Sequence, residues 1–157
     1  MADILFERRD GAAIITINRP EARNAITSAM IREFTEFLQI IEFERDIRCV
    51  LLRGAGDHFM AGGDVKAFSE TALMSPAERR RSFEARVHAA TPLVLTMQRM
   101  PQIVVTAVRG VCAGVSLSWV AASDLTVAAR SSTYVLSHIN IAASPDGSGS
   151  YWLPRAV

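Results

Sequence analysis

The sequence has few of the features that define several protein classes. Its 157 residues include only two cysteines, Cys49 in an apolar run and Cys112 in a glycine-rich turn, which indicates neither a disulfide framework nor a zinc site. We interpret both as reduced structural thiols and expect no bound metal. Basic and acidic residues nearly balance, at 17 and 16, and there is no basic block. Nucleic acid is therefore not expected as the main partner.

Signals for secretion or membrane insertion are also scarce. Charged residues occupy much of the segment 3–10, where a signal peptide would need an apolar run. The longest uncharged stretch near the second glycine turn, residues 110–123, is too short to cross a bilayer of about 30 Å as a helix. We therefore expect a cytoplasmic protein with no membrane partner. No internal repeat of the solenoid type is present.

The first of two informative segments is residues 59–68, FMAGGDVKAF, which follows the strand-like run 49–53. Its adjacent glycines, Gly62 and Gly63, permit positive φ and a close approach of another molecule to the main chain. Residues 64–68 are predicted to form a first helical turn. Free N–H groups at such a turn can bind an anion or an oxyanion. The alternative interpretation is an ordinary tight turn with a glycine hinge.

The second segment is residues 109–114, RGVCAG, between the strand-like run 103–108 and an apolar helix predicted over 115–122. If both turns face one cleft, the main-chain N–H groups of Gly63 and Val115 can point at one oxygen. That arrangement stabilises a developing oxyanion. The sequence does not by itself determine whether the two turns converge.

Strands and helices are predicted to alternate elsewhere in the chain. Asp-Gly at residues 10–11 predicts a hairpin, since this dipeptide favours a tight two-residue turn. Residues 27–28 are predicted to cap a helix with an apolar stripe at spacings of three and four. The stripe consists of Met30, Ile31, Phe34, Phe37, Leu38 and Ile41. Ser75 and Glu78 form a capping box for a further helix, which we expect Pro92 to kink or interrupt.

Four motifs, in this order, resemble the enoyl-CoA hydratase/isomerase, or crotonase, superfamily. They are residues 15–26 (ITINRPEARNAI), 59–64 (FMAGGD), 108–114 (VRGVCAG) with Asp124, and 144–149 (SPDGSG). Each motif is weak alone, whereas four at compatible spacing are specific. The resemblance covers essentially the whole chain and implies an α/β fold, a spiral of ββα units in one domain over residues 1–157. Members of this family continue into further helices, so we expect this chain to lack that C-terminal part, either as a fragment or as a truncated gene product.

The resemblance implies that the substrate is an acyl-CoA thioester of fatty acid metabolism. Coenzyme A is then part of the substrate, and no separate cofactor is expected. An oxyanion hole falls on Gly63 and Val115. The loop with Arg23 and Ala25 is expected along the CoA moiety, with Arg23 near phosphate; a solvated loop charge is the alternative. The other substrate-binding residues implied are Ala61, Gly62, Asp64, Val65, Lys66 and Val111. A homotrimer or a dimer of trimers is expected where the C-terminal part is present.

Hydratases of the family place two glutamates at positions that correspond here to Ser118 and His138. Neither residue is an acid, so hydration of an enoyl-CoA is not expected. Ser118 can orient a ligand or a water molecule. His138 is a candidate substrate contact, with a hydrogen-bonded structural histidine as the alternative. His88 is a candidate base only by weak analogy, and a helix-surface histidine is the favoured interpretation.

The carboxylate that remains near the second glutamate position is Asp146. We predict that it is the main proton-transfer residue, with Trp119 and Trp152 as apolar neighbours; a helix N-cap is the alternative. An enoyl-CoA isomerase is the function that this predicts. The rivals are a thioester hydrolase or dehalogenase with Asp146 as nucleophile, and a non-catalytic CoA-binding or assembly subunit. A dinucleotide-binding protein is a weaker rival, because no third glycine follows Gly54 and Gly56 at the required spacing.

Overall fold

The structure is a computed structural model that describes residues 2–69, 71 and 73–157. The strands are β1 (Ile4–Arg9), β2 (Ala12–Ile17), β3 (Cys49–Gly54), β4 (Ile103–Val108), β5 (Val111–Ala113), β6 (Leu125–Ala128) and β7 (Thr133–Val135). The α-helices are α1 (Ser28–Ile41), α2 (Lys66–Ser69), α3 (Pro76–Arg99), α4 (Val115–Ala121) and α5 (Gly149–Ala156). Short 3₁₀ helices span Pro20–Ala22 and Ser137–Ile141. The predicted α/β class is confirmed.

The main sheet has the strand order β1-β2-β3-β4-β6, and β5 and β7 form a second, two-stranded parallel sheet. β1 pairs with β2 as the predicted hairpin, which brings Arg9 opposite Ala12. The turn residues Asp10 and Gly11 have φ angles of 51° and 78°. Positive φ at both central residues is the requirement of a type I′ turn.

The parallel part of the sheet positions the loops that carry the sequence motifs. β2, β3, β4 and β6 are parallel neighbours, so their carboxyl ends lie at one edge of the sheet. The loops after β2, β3 and β4 start at residues 18, 55 and 109 and therefore leave from this common edge. Ligand sites of open α/β sheets form at such an edge.

The core lies around the central strands and helices α1 and α3, which pack against each other. Residues 13–17 of β2 are all buried, as in a strand covered on both faces. The largest core side chains include Ile15, Ile17, Phe34, Leu38, Leu52, Leu93 and Trp119. Thr27 caps α1 as predicted, since its side chain accepts a hydrogen bond from the Met30 N–H. No helix within the described residues is long and apolar enough to span a membrane.

Helix α3 begins at the predicted capping box, where Ser75 and Glu78 bond each other's main-chain N–H groups. Of the two effects expected of Pro92, a kink or an interruption, the interruption does not occur, because α3 continues from Pro76 to Arg99. A proline inside a helix costs about 3 kcal/mol. The residues after it include Leu93 and Met97, which are buried in the core. Burial of such side chains stabilises by about 1.5–3 kcal/mol each, which offsets the cost of the proline.

Candidate active site

The two glycine turns lie side by side. The Met60 N–H donates to Val111 O at 3.1 Å, and the Ala113 N–H donates to Met60 O at 3.0 Å. Of the adjacent glycines, only Gly62 has a positive φ, at 98°, and a methyl group there would lie 2.8 Å from Ala113 O. No larger residue fits between these backbones without moving them. The sheet topology therefore brings together two turns that are about 50 residues apart in the sequence.

Each turn contains one of the two main-chain N–H groups that the sequence predicted as donors to an oxyanion. In the described part of the chain, neither the Gly63 N–H nor the Val115 N–H donates to any acceptor. Val115 is the first residue of α4, and such N–H groups have no partner inside the helix. On one side of each donor the next N–H is engaged, since the Asp64 N–H bonds Ile26 O and the Gly114 N–H bonds Val135 O, both at 2.9 Å. Gly63 and Val115 are the two residues whose N–H groups the sequence predicted for an oxyanion hole, and both groups are free to bind a ligand.

The loop after β2 runs alongside the first turn. The Ala61 N–H donates to Arg23 O at 2.9 Å, and the Ile26 N–H donates to Gly62 O at 2.8 Å. Ala25 lies between these two contacts, and the Arg23 side chain is exposed. The predicted CoA-loop residues and the predicted oxyanion turn are thus adjacent.

Asp64 has a structural role that the sequence did not indicate. Its carboxylate accepts from Arg19 Nη1 at 3.1 Å and from the Lys66 N–H at 3.1 Å. Arg19 Nη1 also donates to Ala25 O at 2.7 Å, which ties the loop after β2 to the first turn. The side chains of Val65 and Lys66 are exposed next to this contact. The carboxylate of Asp64 is thus engaged by protein donors at the entry to α2.

Asn24 is a second residue that sequence reasoning missed. It is fully buried, has a φ of 58°, and donates through Nδ2 to Ala55 O at 2.8 Å and His58 O at 2.7 Å. Its Oδ1 accepts from the Arg19 N–H at 2.9 Å. Asparagine tolerates left-handed backbone better than most residues. This one side chain therefore links the loops after β2 and β3.

We expect the substitution Asn24→Ala to lower the free energy of unfolding by about 2–4 kcal/mol, because it leaves buried carbonyl groups unpaired. Urea denaturation measures this change. Arg23→Ala is the matched control, since Arg23 is exposed and also has a positive φ, of 50°. It should change stability by less than about 0.5 kcal/mol. Equal stabilities of the two variants would contradict the role given to Asn24.

Ser118, His138 and Asp146 form one cluster. His138 Nε2 lies 2.9 Å from Asp146 Oδ1, and Ser118 Oγ donates to Asp146 O at 2.8 Å. His138 is buried, with 7% of its surface exposed, whereas the Asp146 side chain is 45% exposed. The N-cap interpretation of Asp146 is wrong, because Ser148 occupies the N-cap of α5 and no side chain caps it. The carboxylate is instead bonded to the imidazole.

The loop that carries Asp146 packs directly on the first turns of α4. A methyl group on Gly147 would lie 2.8 Å from Val115 Cγ2, and one on Gly149 would collide with Ser118 Oγ. Glycine at both positions permits this close approach. The half-exposed carboxylate thus belongs to a loop in contact with Val115, whose N–H is one of the two free donors.

The remaining candidate residues are distributed over several elements. His88 is exposed on α3, as the favoured interpretation predicted. Trp119 is in the core, where its ring meets Phe34 edge-to-face at 5.5 Å, and Trp152 lines an open cleft of about 450 Å³ with Asp124. Val111 belongs to β5, where its N–H bonds His58 Nδ1 at 3.3 Å.

Cys112 lies in the second glycine turn. Both cysteines are free thiols; Cys112 is buried and Cys49 is partly buried. Burial raises the pKa of the Cys112 thiol to about 11, against the opposing effect of a hydrogen bond with Ser116. Only the thiolate is nucleophilic, so the fraction of reactive Cys112 near pH 8 is on the order of 10⁻³. Its role here is packing beneath the turn.

We therefore expect the native Cys49→Ser variant to resist a disulfide reagent at pH 8, and to react fully through Cys112 once urea unfolds it. Spectrophotometric thiol counting measures both values. The wild type serves as the control and should release two thiols in urea. Rapid labelling of the native variant would show that Cys112 is accessible and ionised.

Comparison with known proteins identifies the family of the chain. The family model for enoyl-CoA hydratase/isomerase matches residues 7–157. The chain therefore belongs to the enoyl-CoA hydratase/isomerase family. It is 33% identical over its whole length to 1,2-epoxyphenylacetyl-CoA isomerase of Escherichia coli, covering 59% of that protein. It is 30% identical over 99% of its length to an enoyl-CoA hydratase of Mycobacterium tuberculosis, of which it covers 57%.

A solved structure shows the same fold. An enoyl-CoA hydratase from Polaromonas sp. JS666 superimposes with a TM-score of 0.86 at 30% identity, over 98% of this chain and 58% of that one. The predicted crotonase fold is confirmed. The chain spans a little under 60% of the length of these relatives.

Proposed function

We propose that the protein is an enoyl-CoA isomerase in which Asp146 moves a proton between two carbons of the acyl chain. The N–H groups of Gly63 and Val115 stabilise the thioester oxygen of the enolate that forms between the two transfers. The observation that supports this most strongly is the packing of the Asp146 loop on Val115. The loop with the half-exposed carboxylate is therefore in contact with the residue that begins α4 and carries one of the proposed donors.

The chemistry of isomerisation suits a site with a single carboxylate. A β,γ-unsaturated acyl-CoA loses a proton from its α-carbon and gains one at its γ-carbon, so one group can accept and return it. Hydration also requires a group that activates water. The positions where hydratases of the family have glutamates hold Ser118 and His138, and both bond Asp146 instead. This arrangement favours isomerisation over hydration.

The relatives' names do not separate these reactions, because one is an isomerase and the other a hydratase. We extend the proposal to substrate binding. The Arg23 side chain is exposed on the loop that bonds the first turn. A guanidinium at that place can pair with a phosphate of coenzyme A. Ala25, Ala61 and Val111 would then contact the remainder of the ligand.

An assay of the full-length protein on a panel of α,β- and β,γ-unsaturated acyl-CoAs tests this proposal. We expect the two isomers to interconvert, with little hydroxyacyl-CoA and little free thiol. Dominant hydroxyacyl-CoA would identify a hydratase with an overlooked base, and dominant free thiol would identify a hydrolase. Binding of acyl-CoA without turnover of any member would support the non-catalytic alternative.

A further inference from the structure

We infer that His138 is a positioning residue that holds Asp146 Oδ1 and thereby leaves Oδ2 to transfer the substrate proton. This inference rests on the proposed isomerase function and assigns a role within it. The central observation is the 2.9 Å contact between His138 Nε2 and Asp146 Oδ1. An ionised carboxylate only accepts hydrogen bonds, so the imidazole must carry the hydrogen on Nε2.

The surroundings of His138 make this bond its main polar contact. The ring is buried, and its Nδ1 has no hydrogen-bond partner among the described residues. A buried structural histidine normally has both nitrogens satisfied. Here the one polar bond of the ring points toward the half-exposed carboxylate. The main chain of His138 is held as well, since His138 O accepts the Ala143 N–H at 3.0 Å.

The main chain and the side chain of Asp146 are held by different partners. Asp146 O accepts from Ser118 Oγ at 2.8 Å and from the Gly149 N–H at 3.0 Å, which fixes the loop. Neither contact restrains rotation of the carboxylate about its side-chain bonds. The His138 contact supplies that restraint, because it binds one of the two carboxylate oxygens.

The proton can then be followed through the reaction. The C–H bond at the α-carbon breaks, its proton passes to Oδ2, and its electron pair moves to the thioester oxygen. The resulting acid still accepts the His138 hydrogen bond through Oδ1, so its orientation does not change. The proton on Oδ2 then forms the C–H bond at the γ-carbon as the enolate collapses. No oxidant, reductant or water is consumed.

Steady-state kinetics of four variants test the inference in the full-length protein. His138→Leu removes the donor, and His138→Gln replaces it with an amide N–H at similar reach. We expect His138→Leu to lower kcat for isomerisation by about 10- to 100-fold, with KM changed less than about threefold, because misorientation affects the transfer step. His138→Gln should restore kcat to within about fivefold of wild type. In the Asp146→Asn background, His138→Leu should lower kcat by less than about a further twofold, since the two residues act as one unit.

Three results would overturn the inference: wild-type kcat in His138→Leu, no recovery in His138→Gln, or an undiminished loss in the Asp146→Asn background. Failure of the proposed function looks different, because Asp146→Asn would then retain wild-type turnover or the wild type would not isomerise any substrate. Nitrogen-15 NMR of the imidazole is a second test, which requires neither an activity assay nor the His138→Leu variant. We expect a protonated Nε2 whose resonance moves in Asp146→Asn. A resonance indifferent to that substitution also contradicts the inference.

Discussion

Replacement of Asp146 by asparagine should lower kcat for double-bond migration by about 10²- to 10⁴-fold, the usual contribution of a general base. The asparagine keeps the size of the side chain, and its amide oxygen can still accept from His138 Nε2. The loop contacts of the main chain, from Ser118 and Gly149, are also unaffected. The loss should therefore appear in kcat, with stability within about 0.5 kcal/mol of wild type.

Asp10→Asn is the matched control for this experiment. It makes the same chemical change at a carboxylate that is 93% exposed, and Asn-Gly forms the same type of hairpin turn as Asp-Gly. We expect its kcat and stability to equal those of wild type. If Asp146→Asn also retains wild-type turnover while it folds normally, proton transfer by Asp146 is excluded and the binding-subunit alternative gains support.

The second large effect is expected from Gly62→Ala. The added methyl group would lie 2.8 Å from Ala113 O, so the two glycine turns would have to separate. Separation moves the Gly63 N–H relative to the Val115 N–H, and loss of one oxyanion donor lowers kcat by about 10²- to 10³-fold. Alanine at the positive φ of 98° also strains the backbone, which should lower the free energy of unfolding by about 1–3 kcal/mol.

Gly56→Ala is the control that distinguishes backbone strain from displacement of the Gly63 N–H. Gly56 has a φ of 67°, and a methyl group there would lie 2.9 Å from Pro20 Cβ. The backbone penalty should therefore be similar, whereas the contact between the two glycine turns is unchanged. Both variants should lose stability by calorimetry, and only Gly62→Ala should lose most of its kcat. An equal loss of kcat in both would indicate general destabilisation.

The sequence predicted correctly the elements that depend on interactions between residues close together in the chain. The hairpin at Asp10 and the capping box at Ser75 formed as expected, because each depends on residues within one turn. Pro92 does not end α3, because the side chains of the following turns are buried against other elements, and the local sequence does not reveal that burial. The family resemblance identified the N–H groups of Gly63 and Val115 and the carboxylate of Asp146. That the two glycine turns lie side by side depends on the topology of the parallel sheet.

The contacts that hold the site together were less accessible to sequence reasoning. His138 and Asp146 were each identified, yet nothing in their spacing of eight residues predicts that irregular loop backbone brings the two side chains together. Asn24 and Arg19 were missed because their partners are main-chain carbonyls in other loops. An asparagine in a turn is a signal for left-handed backbone, but it does not reveal which distant loops it joins.

The most direct test of the central claim follows the proton itself. A β,γ-unsaturated acyl-CoA with deuterium at its α-carbon is converted by the full-length protein in ordinary water, and the product is examined by NMR and mass spectrometry. We predict that part of the deuterium appears at the γ-carbon, because the Asp146 carboxylate returns what it accepts, and that Asp146→Asn abolishes this transfer with the turnover. A γ-carbon that carries only solvent hydrogen, or formation of hydroxyacyl-CoA in place of the isomer, would contradict the account.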